Sequence, residues 1–349
     1  MSRKETLEQF GSCWEGLEDP RSGNAGLHDF HELLLIALCC VLSGGQGAVD
    51  MALFAEAKEP FLRSFLTLAN GLPSHDTFSR LFRNLDADQF RDSFQRFMAQ
   101  FSEQLQGVVA IDGKVLRRSF DRVSGKSALH MVSAWGCQQR LVLAQIATDA
   151  KSNEITAVPR LLKMLTLKGA IVTADALKGN QGTLHDDVVL LLEDPELKAS
   201  HTGPLVEADH GRIETRTATV STEIGWLQKQ HRWPGLEAIG KVVRVRETAE
   251  KTTTQTAYYL LSTALTPERF NQVVRQHWSI ENSLHWRLDV VMNEDQDRTR
   301  MGHGPHNLAV LRHMALNAMQ KEGSKGSLRG KFKRAGWDDD FLCRLLEMF

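Results

Sequence analysis

The chain has 349 residues, 42% of them hydrophobic and 24% charged, the balance of an ordinary folded protein of about two domains rather than of a disordered or collagen-like chain. Lys and Arg number 42 against 43 Asp and Glu, a formal charge of −1, so the molecule is no polycation and any nucleic-acid surface must be local. The five cysteines are odd in number and form no CxxC pair, which argues against a disulfide framework or a Cys-based zinc site and for a reducing, cytoplasmic setting. The longest apolar run, Leu33 to Leu42, is about half the roughly 20 residues of a bilayer span, so neither a membrane segment nor an export signal is expected.

To about residue 105 the apolar spacing is helical. Phe78, Leu81, Phe82 and Leu85 follow the i, i+3, i+4, i+7 rule, and Phe90, Phe94, Phe97, Met98, Phe101 and Leu105 continue it on a second helix. Ser74, after Pro73, is placed to cap the first of them. With Asp76, Arg80 and Arg83 on its polar side, the pair fits a helix-turn-helix, although a plain bundle is the simpler reading. Strands follow at Val108 to Ile111, Leu129 to Trp135 and Leu141 to Thr148, then a helix at Glu154 to Leu167 and a fourth strand at Ala170 to Thr173. The order is βββαβ. Beyond Gly182 come an amphipathic helix to about Glu193 and strand-like stretches at Arg212 to Val220, Ile239 to Arg246 and Thr253 to Ser262, the last two a hairpin. From Thr266 the pattern is helical again, with Pro267 in a first turn and a further helix at Leu308 to Met319.

Three acids stand out. Asp112 closes the apolar run from Val108 and Asp175 closes the run from Ile171, and a carboxylate at the end of a buried strand is where open sheets place ligands and metals. Asp is also a common turn residue, so either one alone is weak. Glu281 lies inside a helical segment, where i±4 spacing puts His277, Glu281 and His285 on one face while Ile280, Leu284 and Val291 face a core. A His-Glu-His metal face is one use of it, without the HExxH spacing of a zinc hydrolase. A phosphate loop at Ser124 to Ser127 fails because Phe120 stands where the motif needs Gly.

Acids in the order strand, strand, helix around a βββαβ core resemble the RNase H-like domain of DDE transposases. Ala110-Ile111-Asp112-Gly113-Lys114, Lys151-Ser152-Asn153-Glu154-Ile155, Ile171 to Ala176, Leu177-Lys178-Gly179-Asn180-Gln181, His210 to Arg216 and His277-Trp278-Ser279-Ile280-Glu281-Asn282 are similar to the As-type insertion-sequence transposases, which include the H-repeat-associated proteins. Gly71 to Phe78 extends the likeness into the helical segment. The resemblance implies an α/β fold with an RNase H-like mixed sheet and a β insertion at about 205–265, inside a catalytic domain 106–320. A helical DNA-binding or associated domain 1–105 precedes it, and a basic tail and helix 321–349 follow. It implies Asp112, Asp175 and Glu281 as catalytic acids holding Mg²⁺ or Mn²⁺, in all two ions. DNA cleavage and strand transfer on double-stranded DNA, by a homo-oligomer in the synaptic complex, are the expected activity. Lys114, Lys178, Arg212, Arg275, His277, Lys331, Lys333 and Arg334 are the expected DNA contacts.

Two departures carry expectations. The wider group places Tyr, Arg and Lys around the third acid, where this chain has Val274, His277 and Leu288. Family members also run about two dozen residues, a helix and a strand, between the second Asp and Lys-Gly-Asn-Gln, a parallel crossover needing at least about a dozen. Only Ala176 and Leu177 separate Asp175 from Lys178 here. The sheet is therefore expected to be one strand short, with Asp112 and Glu281 approaching each other, Asp175 poorly supported and activity weak or absent. A non-catalytic DNA-binding remnant or regulator is the alternative. A structural metal protein using His303, His306 and His313 ranks lower, because Gly302, Gly304 and Pro305 read as a loop.

Overall fold

The apolar run from Leu33 to Leu42 forms all but the first turn of α1 (Phe30–Leu42), whose Asp29 cap accepts the Glu32 N–H. The computed structural model describes residues 11–101, 106–122, 125–148, 154–175, 183–209 and 211–349. Helix α1 is buried on nearly every side, as expected of a helix apolar all round at the centre of a core. It is followed by α2 (Ala48–Ala57), α3 (Glu59–Leu62), α4 (His75–Asn84) and α5 (Ala87–Ala99), whose buried apolar residues belong to the same core. Ser74 and Asp86 cap the last two by accepting the Thr77 and Gln89 N–H groups. No helix of the described residues is long and apolar enough to cross a membrane.

Phe78, Phe82, Phe90, Phe94 and Phe97 share one apolar core with α11 (Gly304–Lys321), α12 (Leu328–Trp337) and α13 (Asp339–Leu346). Phe97 stacks on Phe349 with ring centroids 4.3 Å apart. The expected boundaries near 105 and 320 are therefore not boundaries in packing: the first and last segments are cemented by the same side chains. Pro305 opens α11 in its first turn, where its missing N–H costs nothing, so the loop expected at 302–305 is a helix start. Gly302 takes φ +54 against Arg83, and a Cβ there would lie 2.4 Å from the Arg83 carbonyl oxygen.

The first sheet runs in the order β3-β2-β1-β4, with β1 (Gly107–Val115), β2 (His130–Gly136), β3 (Leu141–Thr148) and β4 (Ala170–Thr173). β1 with β2 and β2 with β3 are antiparallel, and Asp112 lies opposite Ser133. Side chains alternate across β1. Val109 and Ile111 pack with α6 (Glu154–Lys163) through Ala157 and Leu161. Ala110 on the other face joins the helical core, and Asp112 and Lys114 share that face by register. The βββαβ order is present, and among the described residues the sheet ends at β4. The segment 176–182, with Lys178 and the shortened connection, lies outside the described residues.

The chain divides into two compact units, 1–172 with 279–349, and 173–278. The second is built on a sheet ordered β5-β7-β8-β9, with β6 also on β7. Its strands are β5 (Ser200–His201), β6 (Leu205–Asp209), β7 (Arg212–Ser221), β8 (Ala238–Thr248) and β9 (Thr252–Leu261). Residues of α9 (Pro267–His277) cover Ala218, Ala238 and Val242, whereas those of α7 (Thr183–Glu193) and α8 (Gly225–Gln230) gather round Ile239. A Cβ on Gly240 would sit 2.7 Å from the Phe270 ring, so glycine there lets α9 close on the sheet. The expected insertion at 205–265 falls within this unit. β5 and β6 are too short and polar to announce themselves in sequence.

Candidate active site

Asp112 does not end its strand. β1 continues to Val115 through pairing of Gly113, Lys114 and Val115 with Val132, Met131 and His130, so the carboxylate projects from inside a hydrogen-bonded ladder. Its Oδ1 accepts the Gly113 N–H at 2.8 Å, and the side chain is 16% exposed. The third acid reaches it from a helical segment. Ile280, Leu284 and Leu288 are buried in the helical core and fix the rotation of that segment. Glu281–His285 form a π-helical turn running into α10 (Trp286–Val290), a local widening that recurs at functional sites. His285 Nδ1 lies 3.4 Å from Glu281 Oε2 and 3.6 Å from Asp112 Oδ2.

Asp112, Glu281 and His285 each offer a ligand atom, and the three atoms lie within 4.8 Å of one another. Among the described residues no other group of three His, Cys, Asp or Glu side chains converges in this way. His285 is buried and its Nε2 has no hydrogen-bond partner. His285 keeps the i, i+4 contact with Glu281 that the spacing predicts.

Charges beneath this cluster are tightly paired. Lys114 Nζ lies 2.5 Å from Asp289 Oδ1, 2.6 Å from Glu294 Oε2 and 3.6 Å from Asp295 Oδ1. On α11, Arg312 donates to Asp297 Oδ2 at 2.6 Å and to the Gln46 carbonyl at 2.9 Å, with Glu294 Oε1 3.9 Å away. Burial works against the charge on Lys114, but Glu294 and Asp289 outweigh it and raise the ammonium pKa. Burial likewise opposes ionisation of Glu294, and Lys114 and Arg312 outweigh it and hold the carboxyl below its usual range. For Asp289 burial wins and the pKa rises. The expectation that Lys114 contacts DNA is thus corrected: its ammonium is enclosed by carboxylates of its own chain.

In the second unit, Asp175 follows β4 by two residues, with its side chain 42% exposed. His277 is buried. Its Nδ1 lies 2.9 Å from Thr173 Oγ1 and its Nε2 3.9 Å from Asp175 Oδ1, so the imidazole expected at a phosphate is enclosed beside the second acid. Burial, then the charge of Asp175, pushes the Tyr259 hydroxyl up to about 12. Arg212 opens β7 half-buried opposite Thr248, and Arg275 is exposed and paired with Glu207.

Lys331 is a second correction. It is buried on α12, donating to the Met319 carbonyl at 3.3 Å and to the Glu322 carbonyl, and pairing with the Glu322 carboxylate at 2.9 Å. It closes the C-terminal end of α11. Arg334 pairs with Asp338 at 3.2 Å and lies over the Phe341 ring, while Lys333 is exposed. His306 and His313 are buried along α11, and burial pushes each down to about 4, with Arg91 adding to the effect at His306. His303 stands before the helix as its N-cap. Sequence reasoning placed His285 on the face of Glu281 without assigning it to the site, and missed Arg312. Its signal for the paired carboxylates was four acids within 289–297.

Residues 103–318 match the family described as the Transposase DDE domain, and residues 12–98 match the DDE_Tnp_1-associated family. YhhI of Escherichia coli (strain K12), named as an H repeat-associated transposase, is 34% identical over 351 residues, covering 91% of this chain and 92% of its own. YncI of Escherichia coli O157:H7, also named as a transposase, is 31% identical over 363 residues, 95% of this chain and 92% of its own. A protein encoded in the dhlA 3′ region of Xanthobacter autotrophicus is 40% identical over 259 residues, 67% of this chain and 88% of its own. With acids on a strand and a following helix brought together in the matched domain, the chain belongs to the DDE transposase family, the enzymes that move insertion sequences.

Proposed function

We propose that Asp112, Asp175 and Glu281 are the catalytic acids of this transposase and that His285 completes the donor set around the first and third. The observation that carries the reading is the convergence of Asp112, Glu281 and His285 ligand atoms within 4.8 Å. Two carboxylates and one imidazole suit a divalent ion, with carboxylate oxygens the donors Mg²⁺ and Mn²⁺ prefer. Enzymes of this family use divalent metal ions, and two of them, Mg²⁺ or Mn²⁺, belong to this reading. Bound metal would supply Lewis-acid polarisation of a phosphoryl oxygen and a lowered pKa for an attacking oxygen.

The chain's own part is to hold these groups still. The β1 ladder and the Gly113 N–H orient the Asp112 carboxylate, the buried Ile280, Leu284 and Leu288 orient Glu281, and His285 stands between the two acids. Asp175 enters on its place directly after β4 and on the motif wording around it. Hydrolysis of a phosphodiester at the element's end breaks the P–O3′ bond and leaves a 3′-hydroxyl, whose oxygen then attacks a target phosphodiester and releases the target's own 3′-oxygen. Double-stranded DNA is the substrate, with Lys333, Arg212, Arg275, Arg334 and, in the segment outside the described residues, Lys178 as candidate phosphate contacts. Assembly of like chains on paired DNA ends, in the cytoplasm, completes the proposal.

The deletion-like shortening after Asp175 favours a second reading, a DNA-binding remnant without catalysis. A Mg²⁺-dependent nicking assay on a fragment carrying the element's ends separates the two. Cleavage that vanishes in Asp112→Ala with DNA binding retained supports the catalytic reading. Cleavage that survives in Asp112→Ala overturns it, and wild-type protein that binds but never cuts establishes the remnant.

A further inference from the structure

We infer that Lys114 is a positioning residue for the acid pair, tying the helix that carries Glu281 and His285 to the strand that carries Asp112. The inference rests on the reading of Asp112 and Glu281 as metal-holding acids. Lys114 follows Asp112 by two residues and leaves the same face of β1. Its ammonium meets Asp289, one helical turn beyond His285, at 2.5 Å and Glu294 at 2.6 Å. Strand and helix are thereby joined by directed contacts one step below the site.

Apolar packing alone would not set this register. Leu284 and Leu288 are buried in the helical core, but such contacts are non-directional and tolerate small slides. A bound charge resists them, because sliding the helix lengthens a directed contact between the buried ammonium and Asp289 or Glu294. Arg312 holds the same carboxylate run from α11, through Asp297 at 2.6 Å and Glu294 at 3.9 Å. The strand of the first acid, the segment after the third acid and the core helix α11 thus meet on one set of ions. Metal sites need placement within about 0.5 Å, and this cluster is built to enforce it.

Lys114→Met would take from the buried Glu294 its nearest cation and endanger the fold, so the test uses Lys114→Arg and Asp289→Asn, which keep a cation at residue 114 opposite Glu294. The first replaces a compact ammonium by a planar fork and the second removes one directed partner. Thermal unfolding, hydrogen–deuterium exchange over 281–292 and Mn²⁺ affinity by calorimetry without DNA are measured on the full chain. Both variants should unfold cooperatively, exchange faster over 281–292 but not along α1, and bind Mn²⁺ about 10-fold or more weakly, the usual loss when a ligand's supporting partner is removed. Unchanged exchange over 281–292, or unchanged affinity in variants of a chain that binds Mn²⁺, overturns the positioning role. Wild-type protein that binds no Mn²⁺ overturns instead the reading of the acids, and the exchange comparison then decides the tie alone.

Discussion

Asp112 and Asp175 occupy similar places in the sequence, each after an apolar run, and stand in different settings in the fold. Asp112 sits inside a ladder that continues past it, accepts a backbone N–H and is 16% exposed above a buried ion cluster. Asp175 stands two residues beyond a four-residue strand, 42% exposed, beside the buried His277. A carboxylate within a paired strand is fixed by its neighbours on both sides in sequence, whereas one past a strand end relies on the residues that come next. The shortening of the chain falls directly after Asp175, the more exposed of the two acids.

The largest effect that sharpens this contrast is expected from Glu294→Ala. It removes the buried carboxylate that Lys114 and Arg312 share, leaving them Asp289 and Asp297, and should destabilise the chain by about 1.5–3 kcal/mol in urea unfolding. His277→Gln, beside Asp175, loses one hydrogen bond to Thr173 and should cost only about 1 kcal/mol. Equal costs would break the comparison.

Acid should act on the same side of it. The folded pKa values of His306 and His313 are pushed down to about 4 from 6.5, so below 6.5 the unfolded chain takes up protons that the folded chain refuses. The stability these groups contribute is complete above about pH 6.5 and is lost as pH falls toward 4. Lowered Glu294 and Asp297 extend the loss through the carboxylate range. After correction for the slower intrinsic exchange in acid, protection in α11 should therefore fall between pH 7 and pH 5 more than in β7 to β9, and a uniform response would contradict this.

The smallest effect concerns DNA. Lys333→Ala should reduce the salt slope of DNA binding by about 0.9 for one lost phosphate contact. Lys331→Met should leave the slope unchanged while lowering the melting temperature, since its ammonium serves α11.

Apart from β5 and β6, the strands in chain order, the helix cap at Ser74 and the helix start at Pro267 were legible because period-2 and period-3.6 patterns and helix-start residues are local signals. The order of the three acids was legible for the same reason, helped by the family wording around them. What sequence could not show is which charges are enclosed. In sequence Lys114 and Lys331 look like any basic residue expected at a phosphate, and only tertiary folding reveals Asp289, Glu294 and the α11 carbonyls around them. The extension of β1 past Asp112 was hidden too, because Gly113 and Lys114 are poor strand formers that the pairing with β2 overrides. The shared core of the first and last helices depends on contacts such as Phe97 with Phe349, far apart in sequence and without periodic signature.

Asp112, Glu281 and His285 are proposed to hold the metal that serves cleavage. Calorimetric titration of Mn²⁺ into the wild-type chain and into Asp112→Asn, Glu281→Gln and His285→Ala, each checked for cooperative unfolding, tests it most directly. Wild-type binding should be saturable, weakened at least about 10-fold by Asp112→Asn and Glu281→Gln and to a similar extent by His285→Ala. Wild-type affinity retained in folded Asp112→Asn and Glu281→Gln would contradict it.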